Sequence, residues 1–115
     1  MLPAKLRLTR REDFALAIRR GRRVSAPGIV VHSHPGSGTG TPRVGFIVSR
    51  AVGNAVARNQ VRRRLRHVMA TRTAALPPGL RMVVRATPSA GSRSFDALAD
   101  SVDAALTKTL AEASV

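Results

Sequence analysis

The stretch from residue 43 to residue 66 constrains the fold more than any other part of the chain. It begins with Val44 to Ser49, an apolar and β-branched run that predicts a strand. Gly53 follows and permits a tight turn, because it has no Cβ to clash. Asn54 comes next and is a favoured N-cap for a helix. These residues therefore predict a strand, a turn and a helix in direct succession, and the rest of the fold has to be built around that unit.

The helix that begins at Asn54 is predicted to run to Thr73 and to have two different faces. At about 100° per residue, one side collects the apolar side chains Val61, Leu65, Val68 and Met69. Steps of three and four residues share a face, and another side collects Asn59, Arg62, Arg63 and Arg66. Arg58 lies near the edge of the apolar side, where we expect partial packing. The helix is therefore predicted to turn an apolar seam to the core and an arginine stripe to an external partner.

The first part of the chain predicts a helix followed by strands. Thr9 and Glu12 have the spacing of a capping box for a helix that ends at Gly21. Residues 22–26 and 29–34 are typical of strands, the first only weakly. Residues 35–42 have no apolar side chain to bury, so we expect a flexible loop there.

The last part of the chain predicts one more strand and a closing helix. Residues 80–87 are typical of a strand, and Ser94 is predicted to be the N-cap of the helix that follows. An amphipathic, structural helix is expected over residues 94–115, with the apolar positions Phe95, Leu98, Val102, Leu106 and Leu110. The predicted order is helix, two or three strands, helix, strand, helix. This is an α+β fold, a small α/β sandwich forming a single domain over residues 1–115.

The chain is strongly basic, with 20 Lys and Arg residues against 6 Asp and Glu residues and a formal net charge of +14. Residues 1–93 hold 19 basic and 2 acidic residues, a net charge of +17, whereas residues 94–115 have a net charge of −3. A field of this sign and size favours a polyanion as partner. Charge alone does not separate RNA from DNA or from an anionic membrane surface. No apolar run approaches the roughly 20 residues of a membrane span, so we expect a cytoplasmic protein without membrane association.

The sequence offers little for chemistry carried out by the protein itself. It has no cysteine, which excludes thiolate metal sites and cysteine nucleophiles. His32 and His34 share one face of a strand, but a zinc site needs three or four ligands and no nearby carboxylate completes it. No histidine–carboxylate pairing is visible by spacing. We expect no catalytic residue and no dedicated metal site in the protein.

Two other classes of nucleic-acid-binding protein remain open at this point. A ribosomal or other structural RNA-binding protein accounts equally well for the charge, the size and the lack of cysteine. A DNA-binding helix-turn-helix protein fits less well, because strands flank the basic helix where a second helix would be expected.

The order of the residues from Gly53 to Arg66 resembles the signature helix of the bacterial ribonuclease P protein component. The matching pattern is Gly-Asn-Ala-Val-x-Arg-Asn-x-x-Arg-Arg-x-x-Arg. The resemblance extends to the strand before it, Arg43 to Ser49, and to the first helix, with Arg7-Leu8, Asp13-Phe14 and a final Gly21. It covers nearly the whole chain, and neither alternative class explains the signature.

The resemblance implies a fold, an activity and partners. The family has a compact α/β sandwich with a left-handed β-α-β crossover, against the usual right-handed rule. Its members join a catalytic RNA that removes the 5′ leader of precursor tRNA. The partners implied are therefore the ribonuclease P RNA subunit and precursor tRNA, with no obligate protein partner. Mg²⁺ would be the cofactor, held mainly by the RNA subunit and the substrate, and phosphodiester hydrolysis would take place in the RNA.

The resemblance also implies two sets of site residues. The residues expected to bind the RNA subunit are Asn54, Arg58, Asn59, Arg62, Arg63 and Arg66. The residues expected to bind the single-stranded leader, between the first helix and the sheet, are Phe14, Ile18, Val30, His32, Ser49, Arg50 and Arg85. The family often has aromatic residues where this chain has Ile18 and His32. Because stacking on a base contributes about 1–3 kcal/mol, we expect weaker contacts per base here and more reliance on arginine.

Overall fold

The computed structural model describes residues 2–36 and 38–113, with side chains described as far as residue 111. Apart from short 3₁₀ turns, three α-helices and four strands follow one another in these residues: α1 (Arg11–Arg20), β1 (Arg22–Ala26), β2 (Ile29–His34), β3 (Arg43–Val48), α2 (Ala55–Ala70), β4 (Arg81–Ala86) and α3 (Phe95–Ala113). This order confirms the predicted α+β arrangement and shows that the weak strand at 22–26 is present. None of the described helices is long and apolar enough to cross a membrane.

The four strands form one mixed sheet in the order β1-β2-β4-β3. Antiparallel pairing joins β1 to β2 and β2 to β4. The β3 and β4 strands are parallel neighbours, with Val44 opposite Met82, and the chain passes from one to the other through α2. The sheet thus contains the β-α-β connection in which the resemblance places the unusual crossover.

The main core lies between the sheet and the helices α2 and α3. Successive side chains of a strand point to opposite faces, and on this face Met82 and Val84 are fully buried. Leu65 of α2 and Leu98 of α3 pack into the same core and are also fully buried. Burial of such side chains is the main favourable term in folding, so this face anchors α2.

The other face of the sheet carries α1 and a smaller core. Ala17 of α1 and Val83 of β4 are fully buried there, with Leu8 packed beside them. Gly21 ends α1, where its N–H donates to the carbonyl oxygen of Ala17. A Cβ at Gly21 would collide with the carbonyl oxygens of Ala17 and Ser33. Glycine is therefore needed at this position so that the chain can leave α1 close to the sheet.

The predicted capping box at Thr9 and Glu12 is wrong. The N-cap of α1 is Arg10, no side chain caps the helix, and the Phe14 N–H donates to the Arg10 carbonyl oxygen. After the short 3₁₀ turn Ala4–Leu6, the chain follows the edge of β3: Arg7 pairs with Val44, and the Leu8 N–H donates to the carbonyl oxygen of Val44 over 2.9 Å. This pairing delays the start of the helix beyond Thr9.

The predicted end of α2 also needs correction, and one apolar position of α3 lies outside the core. Helix α2 ends at Ala70, before Thr73, because the Arg72 N–H turns back to the Met69 carbonyl oxygen and a short 3₁₀ turn follows. Phe95 does not belong to the core, since it is 43% exposed. It is the first residue of α3, and the apolar side of this helix becomes buried only from Leu98 onward.

Candidate nucleic-acid interface

The turn into α2 is built by Gly53 and Asn54 as the sequence predicts. Gly53 has φ 154°, in the region that favours glycine. The Asn54 side-chain oxygen accepts a hydrogen bond from the Ala57 N–H over 2.9 Å. The predicted N-cap is confirmed, and this hydrogen bond fixes the start of α2.

One side of α2 forms an open basic groove. The groove has a volume of about 430 Å³ and is lined by Asn59, Arg62, Arg63, Arg66 and His67. The opposite side of the helix holds the predicted seam, whose four residues Val61, Leu65, Val68 and Met69 are at most 1% exposed. The predicted division of the helix into an apolar seam and an arginine stripe is therefore confirmed.

The cations of this groove crowd one another. Burial lowers the pKa of the Arg66 guanidinium, and the charges of Arg7 and Arg62 lower it further. Within the groove, Arg62 also donates a hydrogen bond to the side-chain oxygen of Asn59 over 3.2 Å. A bound polyanion would relieve this repulsion between like charges.

His67 is a groove residue that the sequence prediction did not include. It lies four residues after Arg63, a spacing that places both on one helix face and could have identified it. Arg7 is a second omission from the predicted site residues. Its position beside Arg66 depends on the pairing of Arg7 with Val44 at the edge of the sheet, and no local sequence pattern shows that pairing.

Two other arginines of α2 do not line the groove. Arg58 is half-buried, as expected from its place beside the apolar seam, and its Nε has no hydrogen-bond partner among the described residues. Arg64 donates to the carbonyl oxygen of Arg93 over 2.9 Å and so connects α2 to the chain before α3. Arg58 and Asn54 are thus the two members of the predicted RNA-binding set that do not line the groove.

Phe14 lies in a cavity that also reaches the groove residue Arg66. The cavity has a volume of about 280 Å³ and is lined by Arg7, Leu8, Thr9, Phe14, Val44, Gly45, Phe46 and Arg66. The resemblance assigned Phe14 to the leader and Arg66 to the RNA subunit. The structure brings the two residues together at the outer edge of β3, where Arg7 pairs with Val44.

Val30 and His32 lie on the sheet face that carries α1, and both are covered. They are 5% and 4% exposed, and the pairing of β2 with β4 places Val30 opposite Arg85 and His32 opposite Val83. Neither ring nitrogen of His32 has a hydrogen-bond partner among the described residues. Burial lowers the pKa of His32, and the charges of Arg85 and Arg23 lower it further. These two residues are therefore buried beneath α1 and are not exposed on the surface beside it.

The other predicted leader residues are more accessible. Ile18, one turn after Phe14, is 38% exposed, and Ser49 and Arg50 are exposed just beyond the end of β3. Arg85 is half-buried and lies opposite Ile47 of β3, toward the same end of the sheet. The cavity that holds Phe14 does not include Ile18, Arg50 or Arg85, so the predicted leader residues are distributed along the sheet face rather than gathered in one cavity.

The described residues do not fit a protein-held Mg²⁺ site. In residues 2–36 and 38–113, no three His, Asp or Glu side chains lie close enough to share a metal ion. Asp13 instead faces Arg81, with Oδ1 and Nε 3.8 Å apart, and Asp103 faces Arg72. Because Mg²⁺ prefers carboxylate, phosphate and water oxygens, this surface favours anions over metal ions.

Known proteins share both the sequence and the fold. The chain is 52% identical over 118 residues to the Ribonuclease P protein component of Streptomyces bikiniensis, covering 96% of each. It is 49% identical over 104 residues to the protein of the same name from Acidothermus cellulolyticus, covering 90% of this chain and 87% of that one. The structure of Staphylococcus aureus RNase P protein matches the fold with a TM-score of 0.81 at 24% identity, covering 89% of this chain and 93% of that one.

The family model described as Ribonuclease P matches residues 2–110. That range contains the basic groove on α2, the cavity around Phe14 and nearly all of the folded core. The chain therefore belongs to the ribonuclease P protein family, and it is a protein component of the endoribonuclease that matures the 5′ ends of tRNAs.

Proposed function

We propose that this protein binds the catalytic RNA subunit of ribonuclease P through α2 and binds the 5′ leader of precursor tRNA beside α1. The observation that carries the proposal is the basic groove, in which Arg62, Arg63 and Arg66 project from one side of a helix anchored by its other side. Guanidinium groups bind phosphate oxygens through two parallel hydrogen bonds. A row of them on a rigid helix suits a folded RNA backbone.

The leader is proposed to lie across the sheet face near Phe14 and Ile18. Phe14 offers a ring for stacking, and Ile18 offers an exposed apolar surface. Arg50 and Arg85 supply cations toward the carboxyl end of β3. With Val30 and His32 covered, the accessible contacts here are one aromatic ring, one aliphatic side chain and arginines. This composition supports the expectation that arginines contribute much of the leader binding.

The chemical step is proposed to take place in the RNA subunit, with Mg²⁺ held mainly by that RNA and by the substrate. The described carboxylates Asp13 and Asp103 face arginines, and His32 is buried beneath α1. The part assigned to this chain is to bind and orient RNA, which lowers the entropic barrier to reaction. The partners are then the ribonuclease P RNA and precursor tRNA, and the compartment is the cytoplasm.

A reconstitution assay tests the proposal. The protein is mixed with a bacterial ribonuclease P RNA at low Mg²⁺, and removal of the leader from precursor tRNA is followed. We expect the protein to stimulate cleavage, and no stimulation would contradict the proposal. A ribosomal or other structural RNA-binding protein would bind RNA without stimulating cleavage. Cleavage by the protein without RNA would place the chemistry in the protein instead.

Matched variants test the proposed role of the groove. Arg63→Ala should weaken binding of the RNA subunit and lower the salt dependence of that binding by about one phosphate contact. Arg19→Ala removes the same charge from an exposed position on α1 and should have a smaller effect. Equal losses in the two variants would show that net charge, and not the groove, carries the binding.

A further inference from the structure

Val56 is the most exposed large apolar side chain in the described residues, with 77% of its surface accessible. The other two in that class are Phe95, at 43%, and Ile18, at 38%. Val56 lies in the first turn of α2, within the signature segment, and has no place in either hydrophobic core. Its side chain therefore contributes little to the stability of the fold.

The position of Val56 on the helix is aligned with the basic groove. At about 100° per residue, Val56 and Arg63 point within roughly 20° of each other. Asn59 lies on the same side, three residues further along, whereas Leu65 lies on the opposite side and is fully buried. Seven residues span about 10 Å along a helix, so Val56 extends the outer rim of the groove by that length toward the start of α2.

Local structure does not require a valine at this position. The turn is made by Gly53 and the cap by Asn54, and a β-branched residue is a weaker helix former than alanine. An exposed apolar side chain gains free energy only when a partner covers it. The side chain of Val56 is therefore available for contact with a bound partner.

We propose that Val56 is an apolar contact for the RNA subunit, packing against the sugar or base face of an unpaired nucleotide. This inference rests on the proposed binding of the RNA subunit by α2. The partner is identified by the surroundings of Val56: Arg63 and its neighbours in the groove attract phosphates, and the apolar surfaces next to an RNA backbone are sugars and exposed bases. A protein partner would need acidic residues to match the same cations.

The experiment measures binding of the full-length protein to ribonuclease P RNA over a range of salt concentrations. Val56→Ala should weaken binding about three- to tenfold, as expected for the loss of part of a buried valine contact. It should leave the slope of log K against log salt unchanged, because no phosphate contact is lost. Arg63→Ala should lower both the affinity and the slope. Val56→Ile keeps an apolar surface of similar shape and should retain wild-type affinity.

The possible outcomes separate this inference from the function on which it rests. Wild-type affinity in Val56→Ala, together with loss in Arg63→Ala, would overturn the inference and leave the proposed function standing. Wild-type affinity in both variants would contradict the proposed function itself. If Val56→Ala abolishes self-association in sedimentation and leaves RNA binding intact, a second copy of the chain is the partner and the inference is wrong.

Thermal unfolding serves as the control for folding. Val56→Ala should unfold at the wild-type temperature or slightly above it, because alanine is the better helix former. A clearly lower midpoint would show that Val56 packs within the protein and would also overturn the inference.

Discussion

The ring of Phe14 in α1 lies against Gly45 in β3. A Cβ at Gly45 would collide with Cζ and Cε1 of that ring and would lie 3.0 Å from the Cβ of Leu8. Gly45 is buried, and it is not among the glycines with positive φ. Glycine is therefore needed here because a side chain would occupy the space of the Phe14 ring, and not because the backbone conformation requires it. This contact sets the height of the Phe14 ring above the sheet.

Gly45→Ala should therefore displace Phe14 and affect both stability and substrate binding. Overfilling a packed site costs about 1–3 kcal/mol, and the cost should be at the lower end because the tip of a ring can move. Denaturant unfolding measures the first effect, and binding of precursor tRNA by the holoenzyme measures the second. Wild-type values in both measurements would show that the contact is unimportant.

Phe14→Ala should weaken the binding of precursor tRNA while binding of mature tRNA stays unchanged. Loss of one stacked base costs about 1–3 kcal/mol of binding free energy, which corresponds to roughly five- to 150-fold in affinity. The holoenzyme should be titrated with each of the two tRNAs under identical conditions. An equal loss for both would contradict the assignment of Phe14 to the leader.

His32 should make the protein less stable in mild acid. Its pKa in the folded protein is lowered by burial and by the charges of Arg85 and Arg23, so the unfolded chain takes up the proton first, near pH 6.5. The contribution of the neutral His32 side chain to the free energy of unfolding is fully present above that pH. It is lost as the pH falls toward and through the folded-state pKa. Urea unfolding at pH 7.5 and pH 5.5 measures the loss.

His32→Leu supplies the comparison for that measurement. Leucine cannot titrate, so the difference in stability between the two pH values should be smaller in the variant than in the wild type. An identical pH dependence in both proteins would assign the effect to other groups.

The ion pair between Arg72 and Asp103 should contribute modestly to stability. Nη2 of Arg72 donates to Oδ2 of Asp103 over 3.0 Å, and Nε donates to Oδ1, which joins the chain just after α2 to α3. The hydrogen bonds from Arg72, and then its charge, lower the pKa of Asp103. Because the Asp103 side chain is 54% exposed, solvent screening limits the contribution to about 0.5–1 kcal/mol.

Asp103→Asn tests this contribution by urea unfolding at pH 7. The carboxyl pKa is lower in the folded state, so the contribution is present above the unfolded value near 3.8 and is lost as the pH falls through the folded-state pKa. Wild type and Asp103→Asn should therefore converge in acid. Asp100→Asn, at an exposed position of α3, serves as the matched control and should have less effect at pH 7. A constant difference at all pH values would argue against the ion pair.

Thr109→Val should stabilise the protein. Thr109 is 1% exposed, and its hydroxyl oxygen has no hydrogen-bond partner among the described residues. Removing a buried, unsatisfied hydroxyl recovers about 1 kcal/mol. The matched control is Thr107→Val, since the Thr107 hydroxyl is exposed and donates to the Asp103 carbonyl oxygen over 2.9 Å. A raised melting temperature for Thr109→Val alone is the expected result, and equal shifts would contradict it.

Much of the interface was predictable because it is local. Asn54 as N-cap, the seam around Leu65 and the stripe around Arg63 all follow from spacing within a single helix. Phe95 shows the limit of the same reasoning, because its spacing fits the apolar side of α3 although its side chain is 43% exposed. Spacing shows which residues share a face, but it does not show what covers that face.

The sequence by itself determined the order of the elements, the two faces of α2 and the positive charge that favours a polyanion, because each depends on neighbouring residues or on total charge. Only the tertiary structure decided that Phe14 and Arg66 line one cavity, that Arg10 rather than Thr9 is the N-cap of α1, and that His32 is covered. These relationships depend on the strand order β1-β2-β4-β3, which brings together residues far apart in the chain. Their physical cause is the joint packing of three helices on a single sheet, which no local pattern of residues specifies.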